Sequence, residues 1–401
     1  MSSNPSLDRA VFHANTFLET LKKRPVHSTT SFDDLRHRLG RELSHHGVNE
    51  TQVIDELVAD VDGGLLASAG GRFFGWVIGG TIPSAAAADW LTSIWDQNAA
   101  ASACSPATAV VEEVCGAWLK DLLNIPSPAS FGFVTGCQAA HTTALAAARH
   151  KLLSEQKWDV ERKGLSGAPS IRLVTSENRH ESLIRSMRLL GLGSNSVETV
   201  SCDPSGSVSL SALDLALSKN PGQPTIVCLQ AGDLNTGAFD NFKEAIPLAK
   251  AQNAWVHVDG AFGLWAASSK KHRHLLEGAE LADSWATDGH KWLNLPFDSG
   301  FVFVADPSTH SAALTQSTSY SIPIEGVRNP MDWNLEWSRR ARGYPVYAAL
   351  RTLGRNGLED LVNKSCLYAD RLVTGISKLN DPRQSRGLKR VSPLKGQIGN
   401  R

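Results

Sequence analysis

Between residues 130 and 305 the chain alternates short runs of β-branched and aromatic residues with longer segments whose apolar positions recur every three or four residues. The short runs are FGFV, IRLVT, VETVS, TIVCLQ, AWVHVD, SWAT and GFVFVA, and they predict strands. Residues 139–153, 180–190, 210–218 and 241–252 predict helices between them. Strands apolar on both faces and separated by helices imply βαβ crossovers, and so an α/β fold with a mainly parallel, seven-stranded sheet covered by helices on both faces. Ligands of such sheets bind outside the carboxyl ends of the strands.

The flanking sequence has a different pattern. Residues 7–67 carry three amphipathic segments separated by Gly or Pro, with Ser31 placed as an N-cap, and predict a helical N-terminal arm or lid. The next stretch, GGRFFGWVIGGTIPSAAAADWLTSIWDQNAAASACSP, is rich in glycine and aromatic rings. A mobile linker has no use for so many rings, so this segment is expected to pack against a partner surface or a cavity. SPATAVVEEVCGAWLKDLLNIP then reads as one amphipathic helix ending near Pro126. After residue 305 comes a long loop, followed by helices at about 334–355 and 357–379 and a basic tail without periodicity that reads as disordered. The expected organisation is an arm and the segment after it over 1–115, a large α/β domain over 116–308, a C-terminal part over 309–380, and a tail over 381–401.

Composition narrows the functions open to this architecture. Lysine plus arginine equals aspartate plus glutamate at 40 each, so no net positive field draws the chain to nucleic acid or an anionic membrane. The six cysteines are scattered without a CxxC pair, which argues against a zinc site or a disulfide framework and for a reducing, cytoplasmic setting. The N-terminus lacks the apolar core of a secretory signal, and no run approaches the roughly 20 apolar residues of a membrane helix. A small-molecule partner is the expectation that remains.

The candidate chemistry centres on residues 256–293. Asp259 ends one apolar run, and His290 and Lys291 follow another. A lone lysine is ordinarily a solvated surface charge, but the apolar neighbourhood of Lys291 is expected to lower its pKa and free an amine for a Schiff base. Asp259 would either cap the turn after its strand or pair with a pyridine nitrogen, with Gly260 and Ala261 leaving room for a flat ring. Gly136, Cys137 and Gln138 stand between a strand and a helix, where unpaired backbone N–H groups could take a phosphate; an ordinary strand-to-helix turn would look the same. His180 precedes a helix and would serve as a cap or stack on an aromatic cofactor.

These elements together resemble the pyridoxal-phosphate-dependent group II amino acid decarboxylases, the family of the aromatic amino acid and glutamate decarboxylases, within the fold-type I superfamily. The resemblance runs over about residues 71–376 and rests on SPATAVVEEVCGAWLKDLLNIP, HESLIRSMRLLGLG, NTGAFDNF, HVDGAFG, DSWATDGHKWLN and SRRARGYPVYAALRTLG in family order. It implies pyridoxal 5'-phosphate as cofactor, bound to Lys291 as an internal aldimine, with Asp259 on the pyridine nitrogen, His180 stacked on the ring and Ala261 on the opposite face. Gly136, Cys137, Gln138 and Asp288 would surround the phosphate, and His290 precedes the lysine as in the family. Arg342 matches an arginine on the substrate side, with Arg339 and Arg340 as competitors. The resemblance further implies decarboxylation of an L-amino acid and a homodimer with a shared active site, and makes 1–115 an arm and substrate-side segment and 309–380 the start of a truncated C-terminal small domain. Other outcomes on the same cofactor, and an inactive homologue, are the alternatives. In the family a loop before the SRRARG-like segment carries a tyrosine or histidine linked to protonation at Cα; IPIEGVRNPMDWNLEW has neither, and Tyr320 upstream is the nearest substitute.

Overall fold

The computed structural model describes residues 4–316 and 326–378. Tyr320 and the basic tail lie outside the described residues. The chain divides into two compact units, one ending at Gly80 and the other beginning at Thr81.

The first unit holds α1 (Pro5–Thr20), α2 (Phe32–Leu39) and α3 (Glu50–Val61). Ser31 caps α2 as its side chain predicts, in a reciprocal capping box with Asp34. Asp55 on α3 ties α1 down through Arg9 and His13, both at 2.6 Å. Leu7, Val11, Phe12 and Leu18 on α1 are exposed.

The second unit adds α4 (Pro83–Trp95), α5 (Pro106–Leu122), α6 (Cys137–Glu155), α7 (Val160–Lys163), α8 (Glu181–Leu189), α9 (Leu210–Ser218), α10 (Phe242–Ala251), α11 (Pro307–Leu314) and α12 (Gly343–Ser377). Its sheet contains β1 (Ser130–Val134), β2 (Arg172–Ser176), β3 (Val197–Val200), β4 (Thr225–Gln230), β5 (Trp255–Asp259), β6 (Ser284–Asp288) and β7 (Gly300–Val304) in the order β1-β7-β6-β5-β4-β2-β3. All seven strands fall on the seven runs read from the sequence. The sheet is parallel except for β7, which runs antiparallel to both β1 and β6. Residues 289–299, which join β6 to β7, carry no helix to return the chain for a parallel pairing, so the chain turns back instead.

Alternation along the strands divides the core in two. Val227 and Leu229, Val256 and Val258, Trp285, Phe301 and Phe303 face one cluster, packed by α5, α9, α10 and α12. Ile226 and Cys228, Trp255, Ala286, Val302 and Val304 face the other, packed by α6, α8 and α11. By the same parity His257 and Asp259 on β5 and Ser284 and Asp288 on β6 share the α6 face. Here β5 and β6 pair in register, His257 opposite Ser284. The two segments expected as separate helices are the two halves of α12, which meet at a kink where Gly354 adopts a φ of 59°. That left-handed geometry favours glycine.

One buried ion pair fixes the approach to α12. Glu112 on α5 accepts from both terminal nitrogens of Arg339, at 2.5 to 2.7 Å, and both side chains are almost wholly buried. Burial pushes the Glu112 carboxyl up against the pull of the Arg339 charge. Removing one member leaves the other buried and uncompensated, so Glu112→Ala is expected to lower stability by about 3–5 kcal/mol, read from urea unfolding. An unchanged midpoint would show that Arg339 finds another partner.

Candidate active site

Lys291 follows β6 by three residues, and its Nζ lies 2.9 Å from Asp288 Oδ2. The other Asp288 oxygen accepts the backbone N–H of Cys137 at 2.6 Å, at the first residue of α6. Asp288 is itself held by two strong donors or acceptors on its backbone: its N–H donates to Ala261 at 3.0 Å, and its carbonyl accepts the Trp265 indole at 3.0 Å. An anion therefore already sits at the positive end of α6, joined to the lysine.

The sequence led to an expectation of a lowered Lys291 pKa, and the structure corrects it. Burial does push the ammonium down, but the carboxylates of Asp288 and Asp259 outweigh it and hold Lys291 above its ordinary value. The position of Asp288 is a tertiary fact that the apolar neighbours of Lys291 could not reveal. Cys137, by contrast, is driven well up by burial, with Asp288 and Asp259 adding to it, and stays a neutral thiol.

Asp259 ends β5 on the same face, and its Oδ1 accepts the Ala261 N–H at 3.2 Å. Burial raises its carboxyl, yet the His141 imidazole beside it, with Lys291, holds it well below the usual carboxylate range. It is a buried, ionised acceptor. His141 Nε2 lies 3.5 Å from Asp259 Oδ2 and has no nearer partner.

Gly136 and Gly300 let this face close up. A Cβ on Gly300 would meet Gly136 Cα at 2.4 Å, and one on Gly136 would meet His290 Cε1 at 3.0 Å and Asp288 Oδ1 at 3.2 Å. Because Gly300 pairs with both Val134 and Asp288, Gly300→Ala would push the start of α6 away from Asp288. We expect it to weaken pyridoxal 5'-phosphate binding by at least about tenfold, measured by fluorescence titration, as overpacking here costs on the order of 1–3 kcal/mol. Unchanged affinity would contradict this.

The remaining candidates are distributed less compactly. His290 is stacked on Phe297 with ring centroids 4.3 Å apart, and its Nδ1 accepts the Ser299 N–H at 3.3 Å. Gln138 turns its side chain toward α8, donating to Ser186 Oγ at 2.8 Å. His180 is exposed and caps α8: its Nδ1 accepts the Ser182 N–H at 3.2 Å and lies 2.7 Å from Ser182 Oγ. The three arginines are separated by their partners: Arg339 belongs to Glu112, Arg340 to Asp89 at 2.7 Å, and Arg342 to Asp298 at 2.5 Å. Arg342 also keeps a buried Nη1 without a hydrogen-bond partner.

His141, His257 and Ser284 are additions to the residues read from the sequence. The HVD spacing already placed His257 on the Asp259 face of a strand, and His141 stands one helical turn after Cys137.

These residues fit pyridoxal phosphate. They supply a partly buried lysine, a buried ionised carboxylate on the neighbouring strand, a helix terminus that takes an anion, and a cradle that a single Cβ would fill. Comparison with known proteins agrees. A model of the pyridoxal-dependent decarboxylase conserved domain matches residues 33–384. The aromatic-L-amino-acid decarboxylase of Bacillus atrophaeus is 26% identical over 383 residues, covering 94% of this chain and 77% of that protein. The L-2,4-diaminobutyrate decarboxylase of Rhizobium meliloti is 32% identical over 275 residues, covering 67% of this chain and 52% of that protein. The match thus spans about half the length of the second relative. Among solved structures, mouse CSAD superposes with a TM-score of 0.85 at 23% identity, over 94% of this chain and 80% of that one. Oryza sativa TDC with PLP and tryptamine gives 0.86 at 22% identity, over 94% and 81%. At those identities the structures show the shared fold, and the domain match carries the family: the chain belongs to the pyridoxal-dependent decarboxylases.

Proposed function

We propose that this chain decarboxylates an L-amino acid to its amine and CO2, with pyridoxal 5'-phosphate joined to Lys291 and its ring nitrogen facing Asp259. The observation that carries the reading is the pairing of these two groups in one buried site, Lys291 beside Asp288 and Asp259 on the adjacent strand. When bound, the cofactor supplies an electron sink for the pair left at Cα when a bond there breaks. The chain's own residues have four tasks. Asp259, held ionised, keeps the ring nitrogen protonated. Asp288 Oδ2 is placed to take the proton that Lys291 Nζ must lose before it acts as a nucleophile. The first turn of α6, from Gly136 through Cys137 and Gln138, takes the phosphate together with Asp288. Arg342, with its unpartnered Nη1, is the candidate for the substrate carboxylate.

In this reading Ala261 lies against the ring, and His180 stacks on it after its side chain leaves Ser182. The exposed apolar side chains of α1, and Trp90, Leu91, Ile94 and Trp95 on α4, support a homodimer, since such surface is costly in an isolated chain. Six unpaired cysteines support a reducing, cytoplasmic setting. Among the described residues no helix is long and apolar enough to cross a membrane. The relatives named above act on different amino acids, so the test is a screen of L-amino acids with holoprotein, following headspace CO2 and amine together. Equimolar CO2 and amine from one amino acid supports the reading. A keto acid without CO2 would overturn it in favour of transamination.

A further inference from the structure

Behind Asp259 runs a buried line of polar groups drawn from three elements. His141 Nδ1 on α6 lies 2.9 Å from His257 Nε2 on β5. His257 Nδ1 lies 2.9 Å from Ser284 Oγ on β6, which also accepts the Trp255 indole N–H at 2.9 Å. His141, His257 and Ser284 are fully buried, and Trp255 and Asp259 are each 5% exposed. Polar groups so deep are destabilising unless they satisfy one another, so the line must have a self-consistent direction.

That direction follows from donor chemistry. An indole N–H can only donate, which makes Ser284 Oγ its acceptor and leaves the hydroxyl proton free for His257 Nδ1. His257 then carries its proton on Nε2 and donates to His141 Nδ1. In turn His141 carries its proton on Nε2, the atom that faces Asp259 Oδ2 at 3.5 Å. Burial lowers the His257 pKa to about 3, so that ring holds a single proton. The Ser284 backbone offers His257 a competing partner, which would favour a proton on Nδ1. That opposite arrangement either turns a bare His141 nitrogen toward a buried carboxylate, lone pair against negative charge, or puts a second proton on a fully buried ring.

We propose that His141 and His257 are positioning residues. A one-way chain of donors from Trp255 through Ser284, His257 and His141 ends on Asp259 and orients the carboxylate that meets the cofactor's ring nitrogen. The role explains why a helix packed tightly against the sheet carries a histidine at this point. It rests on the assignment of Asp259 to the ring nitrogen, and the two can fail separately.

The direct test is nitrogen NMR of the cofactor-free protein labelled with ¹⁵N-histidine, the two resonances assigned through His141→Gln and His257→Gln. Protons on Nε2 of both rings, with Nδ1 bare, are expected. A proton on His141 Nδ1, with Nε2 bare or also protonated, would overturn the proposal. This measurement uses the unsubstituted chain, so it stands even where a variant folds poorly. In parallel, pyridoxal 5'-phosphate is titrated by fluorescence quenching. His141→Leu should bind about tenfold or more weakly, as expected for losing a donor to a charged group. His141→Gln, which keeps a donor for Asp259 and an acceptor for His257, should restore affinity to within about threefold of the parent. Parent-like binding by His141→Leu while Asp259→Ala is weakened would sink the donor chain alone. Parent-like binding by Asp259→Ala would sink the ring-nitrogen assignment on which it rests.

Discussion

Lys291→Ala will leave a protein that folds but no longer holds pyridoxal 5'-phosphate covalently, with turnover reduced on the order of 10⁴- to 10⁶-fold, as for loss of other covalent-catalysis residues. Lys291 is partly buried, and its Nζ meets the Asp288 carboxylate, so removing it costs the site its only amine next to that acid among the described residues. Asp288 keeps its bond from the Cys137 N–H in the variant, so the start of α6 should stay in place. Visible absorption and borohydride reduction check this directly. The parent should show a band that reduction removes and fixes to protein, and the variant should release its cofactor on dialysis. A variant retaining a reducible band after dialysis would show that another lysine carries the cofactor.

Asp259→Asn is expected to keep the covalent link but lose about 10²–10³-fold in turnover, the scale for removing one preorganised group that meets charge developing in the transition state. Asparagine matches aspartate in shape, can still accept from the Ala261 N–H, and can still meet His141. What it lacks is the negative charge that keeps a pyridine nitrogen protonated. Initial rates of amine formation at saturating substrate, with cofactor content measured alongside, separate this loss from loss of cofactor. Parent-like turnover with full cofactor would mean that Asp259 is a turn-capping residue only.

Much of the fold was legible because its strands are buried on both faces. Runs such as IVCL and GFVFVA are apolar throughout, as strands covered on both sides must be, and short turn-bounded segments cannot become helices of useful length. The reversed direction of β7 was not legible from periodicity, since parallel and antiparallel strands share a period of two. Its signal lay in the connection from β6, which holds no crossover helix.

The site divides along the same line between local and tertiary information. Lys291 and Asp259 stand at strand ends, where local pattern points. The charge state of Lys291 did not follow, because it depends on Asp288 three residues earlier turning its carboxylate back onto the lysine. Nor could the choice among Arg339, Arg340 and Arg342 be made locally, because Glu112, Asp89 and Asp298 are distant in sequence. The partners of His141 were hidden for a further reason. Buried residues occur all round the first half of α6, so no apolar stripe marks which face a histidine there would take. Gln138 and His180 stand where the sequence put them, but their side chains bond to Ser186 and Ser182.

That Lys291 carries pyridoxal 5'-phosphate is the proposal on which the other expectations rest. The most direct measurement is borohydride reduction of the cofactor-loaded protein, followed by proteolysis and mass spectrometry of the peptides. The predicted result is a phosphopyridoxyl adduct on the peptide containing Lys291 and on no other at comparable occupancy. An adduct carried mainly by a different lysine, or a loaded protein that reduction leaves unlabelled, would contradict it.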